Sequence, residues 1–553
     1  MKKIKNSCCF FVFVFLNIYT SSLFAQQSKM IEILNANTLE FDENLGVDAK
    51  RLIGEVKFKH ENAIMFCDSA YYYSNNKLDA FGNVHIIEGD SVHLYGDFLK
   101  YDGNTKTAEV IDNVRMNDKQ MKLTTKRVFY DLNSGVAFYD QKGKIVNDKN
   151  TLTSNLGYYY SKEKNLFFKN NVILVNPDYT IKSDTLKYNT LSEISYFFGP
   201  TTITGKEEKI YCRNGWYNSK KDVSRFSKEA VLENKNQQIK GDSLFYDKGN
   251  SYGKATGNVT ITDTTEKIIL KGELSEMFQD LDYSYITKNA LLIQYDKTDT
   301  LFLTADTLKA TYDSTYFAEK NKFYLNQKLN KKSEKKLKDK KEINSQPEKK
   351  TEIVKFSNDT LAEKHRMILA YRRVKFFRKD LQGKCDSLAY VSNDSLMKMF
   401  NKPVLWSDEN QLTAKFIKIK ISDGKVYKLQ MTENSFIISK EDSLRFNQIK
   451  GKNMIGLFSE NELYKIDVFG NGESVYFAKD DQDGSFIGVN KAVCTNISIS
   501  IKEKKVDKIT MKNSPDAVMY PIKELPPQEL ILKDFIWRGA ERPAKKADLI
   551  STR

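Results

Sequence analysis

The sequence predicts an all-β chain of stacked antiparallel repeats, each 29 residues long, arranged in two blocks. Three observations predict it. A tyrosine recurs at one fixed interval, as Tyr72, Tyr101, Tyr130, Tyr159, Tyr188, Tyr217 and Tyr246. Around each tyrosine the residues alternate apolar and polar with period two, the spacing of side chains along a strand. Turn-forming clusters follow each tyrosine on the same schedule, as in Asp102-Gly103-Asn104 and Asp247-Lys248-Gly249-Asn250. A fixed period of about 20–50 residues means supersecondary units that bury their apolar faces against one another.

Residues 1–25 read as a cleaved secretory signal. Lys2, Lys3 and Lys5 precede an apolar run from Cys8 to Leu16, and Ala25 stands before Gln26. The run is shorter than the ~20 residues a spanning helix needs. The first array covers residues 28–323. In its repeat, a slot four residues before the tyrosine holds Asp68, Asp97, Lys126, Asn155, Asp184, Arg213 or Asp242. The acids of this slot are expected to hydrogen-bond where a strand begins. Two residues before the tyrosine, on the same side of the pleat, stands Ala70, Leu99, Val128, Gly157, Leu186, Gly215 or Leu244. Lys100 and Lys187 point to the other side. A second strand runs through an Asn-Val mark, as in Gly82-Asn83-Val84 and Gly257-Asn258-Val259. One repeat is therefore two strands of about ten residues and two turns.

Residues 324–352 form a Lys-rich linker or loop. Lys328 to Lys350 hold ten lysines against four acids, about half of the excess charge left once the signal is removed. A site for acidic headgroups is the other reading of this stretch. A second array, residues 353–519, resumes with Cys385-Asp386-Ser387-Leu388-Ala389-Tyr390. Residues 520–553 are a Pro-rich tail, expected to act as an extended cap or docking segment.

Composition and motifs exclude several classes. A hydrophobic content of 40% with 12% aromatics is not that of a disordered chain. About half of the excess positive charge sits in one lysine segment and is not interleaved with stacking aromatics, so no nucleic-acid partner is expected. Cys67, Cys212, Cys385 and Cys494 fall in different repeats, too far apart to bridge. His60, His85, His93 and His365 form no metal-ligand set, and no nucleophile elbow or P-loop is present. A catalytic carboxylate would not share its position with lysine and arginine. No enzyme activity, no metal and no cofactor are expected.

The tyrosine column chiefly packs repeat on repeat. With Gly157 and Gly215 leaving space beside it, the column also partly lines an apolar trough between two sheets. Such a trough suits acyl chains, which need apolar area without polar readout. The candidate lining residues are Leu99, Tyr101, Val128, Tyr130, Leu186, Tyr188, Leu244 and Tyr246. A filled interior, in a structural or adhesive protein of the cell envelope, is the alternative.

The signal, the short repeats such as Leu78-Asp79-Ala80-Phe81-Gly82-Asn83-Val84, and the following Gly96-Asp97-Phe98-Leu99-Lys100-Tyr101 resemble the OstA-like family of periplasmic lipopolysaccharide-transport proteins. The likeness is good over residues 30–310 and looser over 365–515. It implies an elongated two-sheet β-jellyroll in the periplasm, in possible association with the outer membrane. It also implies that a groove holds the acyl chains of lipid A and that other jellyroll components join by edge-strand pairing.

Overall fold

The computed structural model describes residues 29–41, 48–89, 92–118, 121–147, 149–295, 299–312, 366–391, 395–422, 425–480, 482–503, 505–522 and 530–550. The expected signal and the Lys-rich segment lie outside these residues. The chain divides into two compact units, residues 1–164 and 165–553, and each is antiparallel β almost throughout.

In the first unit the strands Ala49–His60, Ala63–Tyr73, Lys77–Glu88, Val92–Asp102, Thr107–Asp118 and Met121–Asp131 pair in chain order, each with the next. Every pairing shifts register once, near the middle of the strand. The cause is a pair of consecutive residues in the left-handed backbone region, such as Gly82 and Asn83 (φ 71° and 45°) or Asp112 and Asn113 (φ 57° and 49°). These two residues oppose one on the neighbouring strand. That is a bulge, and it bends the strand.

The bend also changes which residues face inward. In Val92–Asp102 the buried residues are Leu94, Gly96, Leu99 and Tyr101, with a step of three at the corner instead of two. Each strand thus contributes one half to a first sheet, A (56–60, 63–67, 84–88, 92–96), and the other to a second sheet, B (49–53, 69–73, 77–81, 98–102). The two sheets close at the corner. A Cβ on Gly96 of sheet A would come within 2.3 Å of Val110 Cγ1, which reaches over from sheet B. This is the β-jellyroll, made from the halves of the same strands. The Asn-Val mark of the sequence is its corner.

The second unit repeats the pattern from Asn165–Val175 to Thr300–Tyr312, again pairing in chain order. Thr300–Tyr312 pairs directly with Arg366–Phe377, so the ladder resumes after residues 313–365. It ends at Phe486–Lys502, whose two halves pair with Asp516–Pro521 and Lys505–Lys512.

The tail does not cap an end of the ladder. It runs over the outer face of sheet A in the second unit. In the strand Lys425–Lys440, Ser435 and Ile437 face inward, while Phe436 and Ile438 alternate with them and face outward. Leu532 packs on Phe436 and Ile438, together with Val475, Phe477 and Val489. The short helix Lys546–Ile550 closes the chain against the strands Thr300–Tyr312 and Arg366–Phe377.

Candidate functional site

The repeated Asp97 slot is not at a strand entry, as its spacing from the turns suggested. It lies mid-strand, at the corner, opposite the left-handed pair of the next strand. Its side chain clasps that corner. Asn83 donates Nδ2 to Asp68 at 2.9 Å, Asn113 to Asp97 at 2.5 Å, and Asn258 to Asp242 at 3.2 Å. Left-handed backbone costs a non-glycine residue about 1–2 kcal/mol, and these bonds offset part of that. Two basic slots meet an acidic corner: Arg213 pairs with Glu229 at 2.9 Å and Lys415 with Glu433 at 2.9 Å. Asp306 instead meets Arg373 at 2.8 Å. At these positions the partner changes with the charge of the slot.

In the first unit the tyrosine column closes the side of the jellyroll away from the corner. Tyr101 of sheet B meets His60 Nδ1 of sheet A at 2.5 Å, and Tyr130 donates to Glu88. Tyr139, which lies outside the column and pairs with Gly157 near the corner, bonds Ser154 at 2.7 Å. Burial first, and then for Tyr130 the Glu88 carboxylate, push the phenols of Tyr101 and Tyr130 well up. Burial pushes that of Tyr139 up to about 12. Between the tyrosines stand Leu78, Ala108 and Ala137, directly paired with them and buried. Facing them in sheet A, Phe58, Met65, Ile86, Leu94 and Met116 are buried too. Leu99 and Val128 are 0% exposed. The space expected beside Gly157 is taken, since a Cβ there would lie 2.4 Å from the Tyr139 ring.

Between Tyr188 and Met277, in the second unit, the same positions are part-exposed, Ser224 excepted. On sheet A, Ile203, Ile210, Leu232, Ile239, Ile261 and Leu270 pair one with the next across six strands. All six are reached by water. On sheet B the facing row reads Tyr188, Ser195, Tyr217, Ser224, Tyr246, Gly253 and Met277. Serine and glycine replace the Leu78, Ala108 and Ala137 of the first unit.

The latches are absent from this row for a local reason. The positions that correspond to His60 and Glu88 are Gly205, Asn234 and Asp263. Asn234 accepts the N–H groups of Asn236 and Gln237 in its own turn, at 3.0 and 2.7 Å. Asp263 does the same for Thr265 and Glu266, at 3.0 Å each. Tyr217 donates to Asp222 of its own hairpin at 3.0 Å, and Tyr246 to Gln279 at 3.4 Å. Nearer the corner the interior is closed: Leu186, Phe197, Phe226 and Leu244 are buried. These strands thus have a closed interior near the corner and part-exposed apolar side chains farther from it.

The eight lining candidates therefore divide. Leu99, Tyr101, Val128 and Tyr130 sit in the closed interior of the first unit, Leu186 and Leu244 are buried near the corner in the second, and Tyr188 and Tyr246 are part-exposed. The aliphatic rim of sheet A was missed by the sequence reading. Its signal is one isoleucine or leucine three residues before each slot, at Ile210, Ile239 and Leu270.

The other sequence features resolve simply. His85 Nε2 and His93 Nδ1 meet at 3.1 Å, with His85 stacked on Tyr95 at 4.2 Å. Burial, then the His93 charge, lower the His85 pKa. Among the described residues no group of three or more His, Cys, Asp or Glu could hold a metal ion. Cys67, Cys212, Cys385 and Cys494 are buried free thiols. No helix among the described residues is long and apolar enough to cross a membrane.

Residues 28–184 and 182–242 match the family described as OstA-like protein. Comparison with curated proteins finds no match. Among solved structures, one similar chain is LptH from Pseudomonas aeruginosa, described as the LptA homologous periplasmic component of the conserved lipopolysaccharide transport device. It is 14% identical over 19% of this chain and 81% of that one, with a TM-score of 0.19.

Proposed function

From the premise that residues 28–242 are an OstA-like region, we propose that the chain is a periplasmic component of lipopolysaccharide transport. In this reading it performs no catalysis. It holds lipid acyl chains in the open cleft of its second unit. The carrying observation is the row from Ile203 to Leu270, unbroken over six strands and part-exposed, facing Tyr188, Tyr217 and Tyr246. At about 4.8 Å per strand that row runs for roughly 24 Å. A chain laid along it gains about 0.8 kcal/mol for every methylene removed from water. No polar group need be met, because the row presents none.

Export by a cleaved signal at residues 1–25 belongs to the same proposal. So does joining to other jellyroll components by edge strands. The strands Glu32–Asn35 and Thr38–Phe41 leave Ile33, Leu34, Leu39 and Phe41 exposed, Phe41 at 71%. In the second unit Asp516–Pro521 leaves Val518 and Met519 exposed. Apolar edges of this kind are templates for a further strand.

Photo-crosslinkers at Ile239, Tyr217 and Tyr246, compared with the outward Lys187, test the cleft. Lipid adducts are expected at the first three. Equal labelling at Lys187 would overturn the assignment. The filled-core reading, an adhesive or structural repeat protein, is favoured only by the closed first unit. It predicts no lipid on the protein when native mass spectrometry is applied to material extracted from its own envelope.

A further inference from the structure

The tail is held by glutamines that recur at one outward position of sheet A. Gln382, Gln411 and Gln448 each stand four residues before a corner slot, at Asp386, Lys415 and Lys452. Gln448 donates Nε2 to the Leu530 carbonyl at 2.8 Å and accepts the Leu532 N–H at 2.9 Å. Gln411 donates to the Ile536 carbonyl at 2.7 Å and accepts the Arg538 N–H at 2.6 Å. Each side-chain amide therefore reads the backbone of residues i and i+2, as a strand reads its extended neighbour. Both amides are buried, Gln411 at 0% and Gln448 at 2% exposure. Gln382 accepts from Arg542 Nε at 2.8 Å. Leu532 fills the apolar pocket between Phe436 and Val489, and Phe535 and Trp537 lie over Phe446 at 5.5 and 5.2 Å. Lys450–Asp534 at 3.0 Å and Lys384–Glu541 at 2.6 Å close the rim.

We propose that this outer face is a binding site for an extended peptide, that Leu530–Arg542 is its ligand, and that the tail of a second copy can fill it. The recognition uses backbone atoms, one apolar pocket and two ion pairs. The contacts named join the array to residues 530–542. The same contacts are offered to the tail of any neighbouring copy. Seating in cis has the advantage of an effective concentration in the millimolar range. Copies held side by side reach that range and exchange tails, which links them without using a strand edge.

Two experiments on the full chain test this. In the first, a protease site is inserted within residues 523–529 and cut after folding. The severed tail is expected to stay bound at micromolar concentration and to be displaced by a labelled synthetic peptide of residues 530–553. The pair Gln411→Ala and Gln448→Ala, which removes four hydrogen bonds, should weaken that peptide about tenfold or more. Loss of the severed tail without peptide binding overturns the site, as does unfolding of the array on cutting, or equal affinity for the double variant. In the second, chains carrying Lys450→Cys are mixed at high concentration with chains carrying Asp534→Cys. A disulfide-linked dimer is expected. If the variant with both changes in one chain closes within itself while the mixture gives no dimer, exchange between copies is overturned.

Discussion

The first unit and the stretch from Tyr188 to Met277 are the same repeat with two different interiors. Both have the corner, the slot and the tyrosine. They differ in three places: the residue between tyrosines, the sheet A residue opposite, and the group that a tyrosine hydroxyl meets. Leu78, Ala108 and Ala137 with His60 and Glu88 give a closed, latched interior. Ser195, Ser224 and Gly253, with Asn234 and Asp263 engaged in their own turns, leave the rim open. Closure is thus not a property of the fold. Small side chains at the rim, and the latching partner, decide whether a repeat has a filled core or an accessible cleft.

The comparison breaks most easily by truncating the two interiors. Leu99→Ala should cost about 2–5 kcal/mol, as for other fully buried leucines. Ile239→Ala should cost about 1 kcal/mol, since water already reaches the side chain and little cavity is created. Urea midpoints measure both, and equal costs would mean that the second interior is as closed as the first. Lipid retention should order the other way, with Ile239→Asp abolishing it while the fold survives.

The latches come next in size. Tyr130→Phe leaves the Glu88 carboxylate without its donor across the interior, for about 1–3 kcal/mol. Tyr217→Phe removes only a bond to Asp222 at a turn that water can replace, for less than about 1 kcal/mol. Alkaline titration tests the closed interior directly. The phenols of Tyr101, Tyr130 and Tyr139 are raised by burial above their unfolded value near 10, the last to about 12. Their contribution is complete below pH 10 and falls away as pH rises through the folded values, because the unfolded chain releases these protons first. Phenolate absorbance should show these three titrating only as the first unit unfolds. Ionisation of Tyr101 and Tyr130 without loss of β-structure would contradict the latch.

Much of this was legible in the sequence. The period, the alternation and the turns gave the strands, and the fixed tyrosine gave the inward column. The corner was not, because Gly82-Asn83 and Lys228-Glu229 share no residue type. What they share is a left-handed backbone, which glycine and asparagine advertise and lysine and glutamate do not. Openness was not legible either. Leu94 and Ile239 both stand three residues before the corner slot, one buried and one part-exposed, and are distinguished by what stands across from them. The tail site had a signal, three glutamines in one register position, but amides are common and nothing in the tail's own residues indicated their partner.

The smallest effect tests why the slot tolerates both charges. If slot and corner are a unit, Asp242 and Asn258 can be rewritten as the pair found at Arg213 and Glu229. Asp242→Arg alone loses the bond from Asn258. Asn258→Glu alone sets a carboxylate beside Asp242, in a backbone region that glutamate adopts at a cost. The double variant still carries that backbone cost, so its total stability is the wrong measure. The coupling from a double-mutant cycle isolates the pair. For exposed groups it should be favourable by less than about 1 kcal/mol and should shrink with added salt. A coupling of zero at low salt would mean that the slot side chains are bystanders. The corner would then be held by its apolar lining and backbone bonds alone, in the open region as in the closed one.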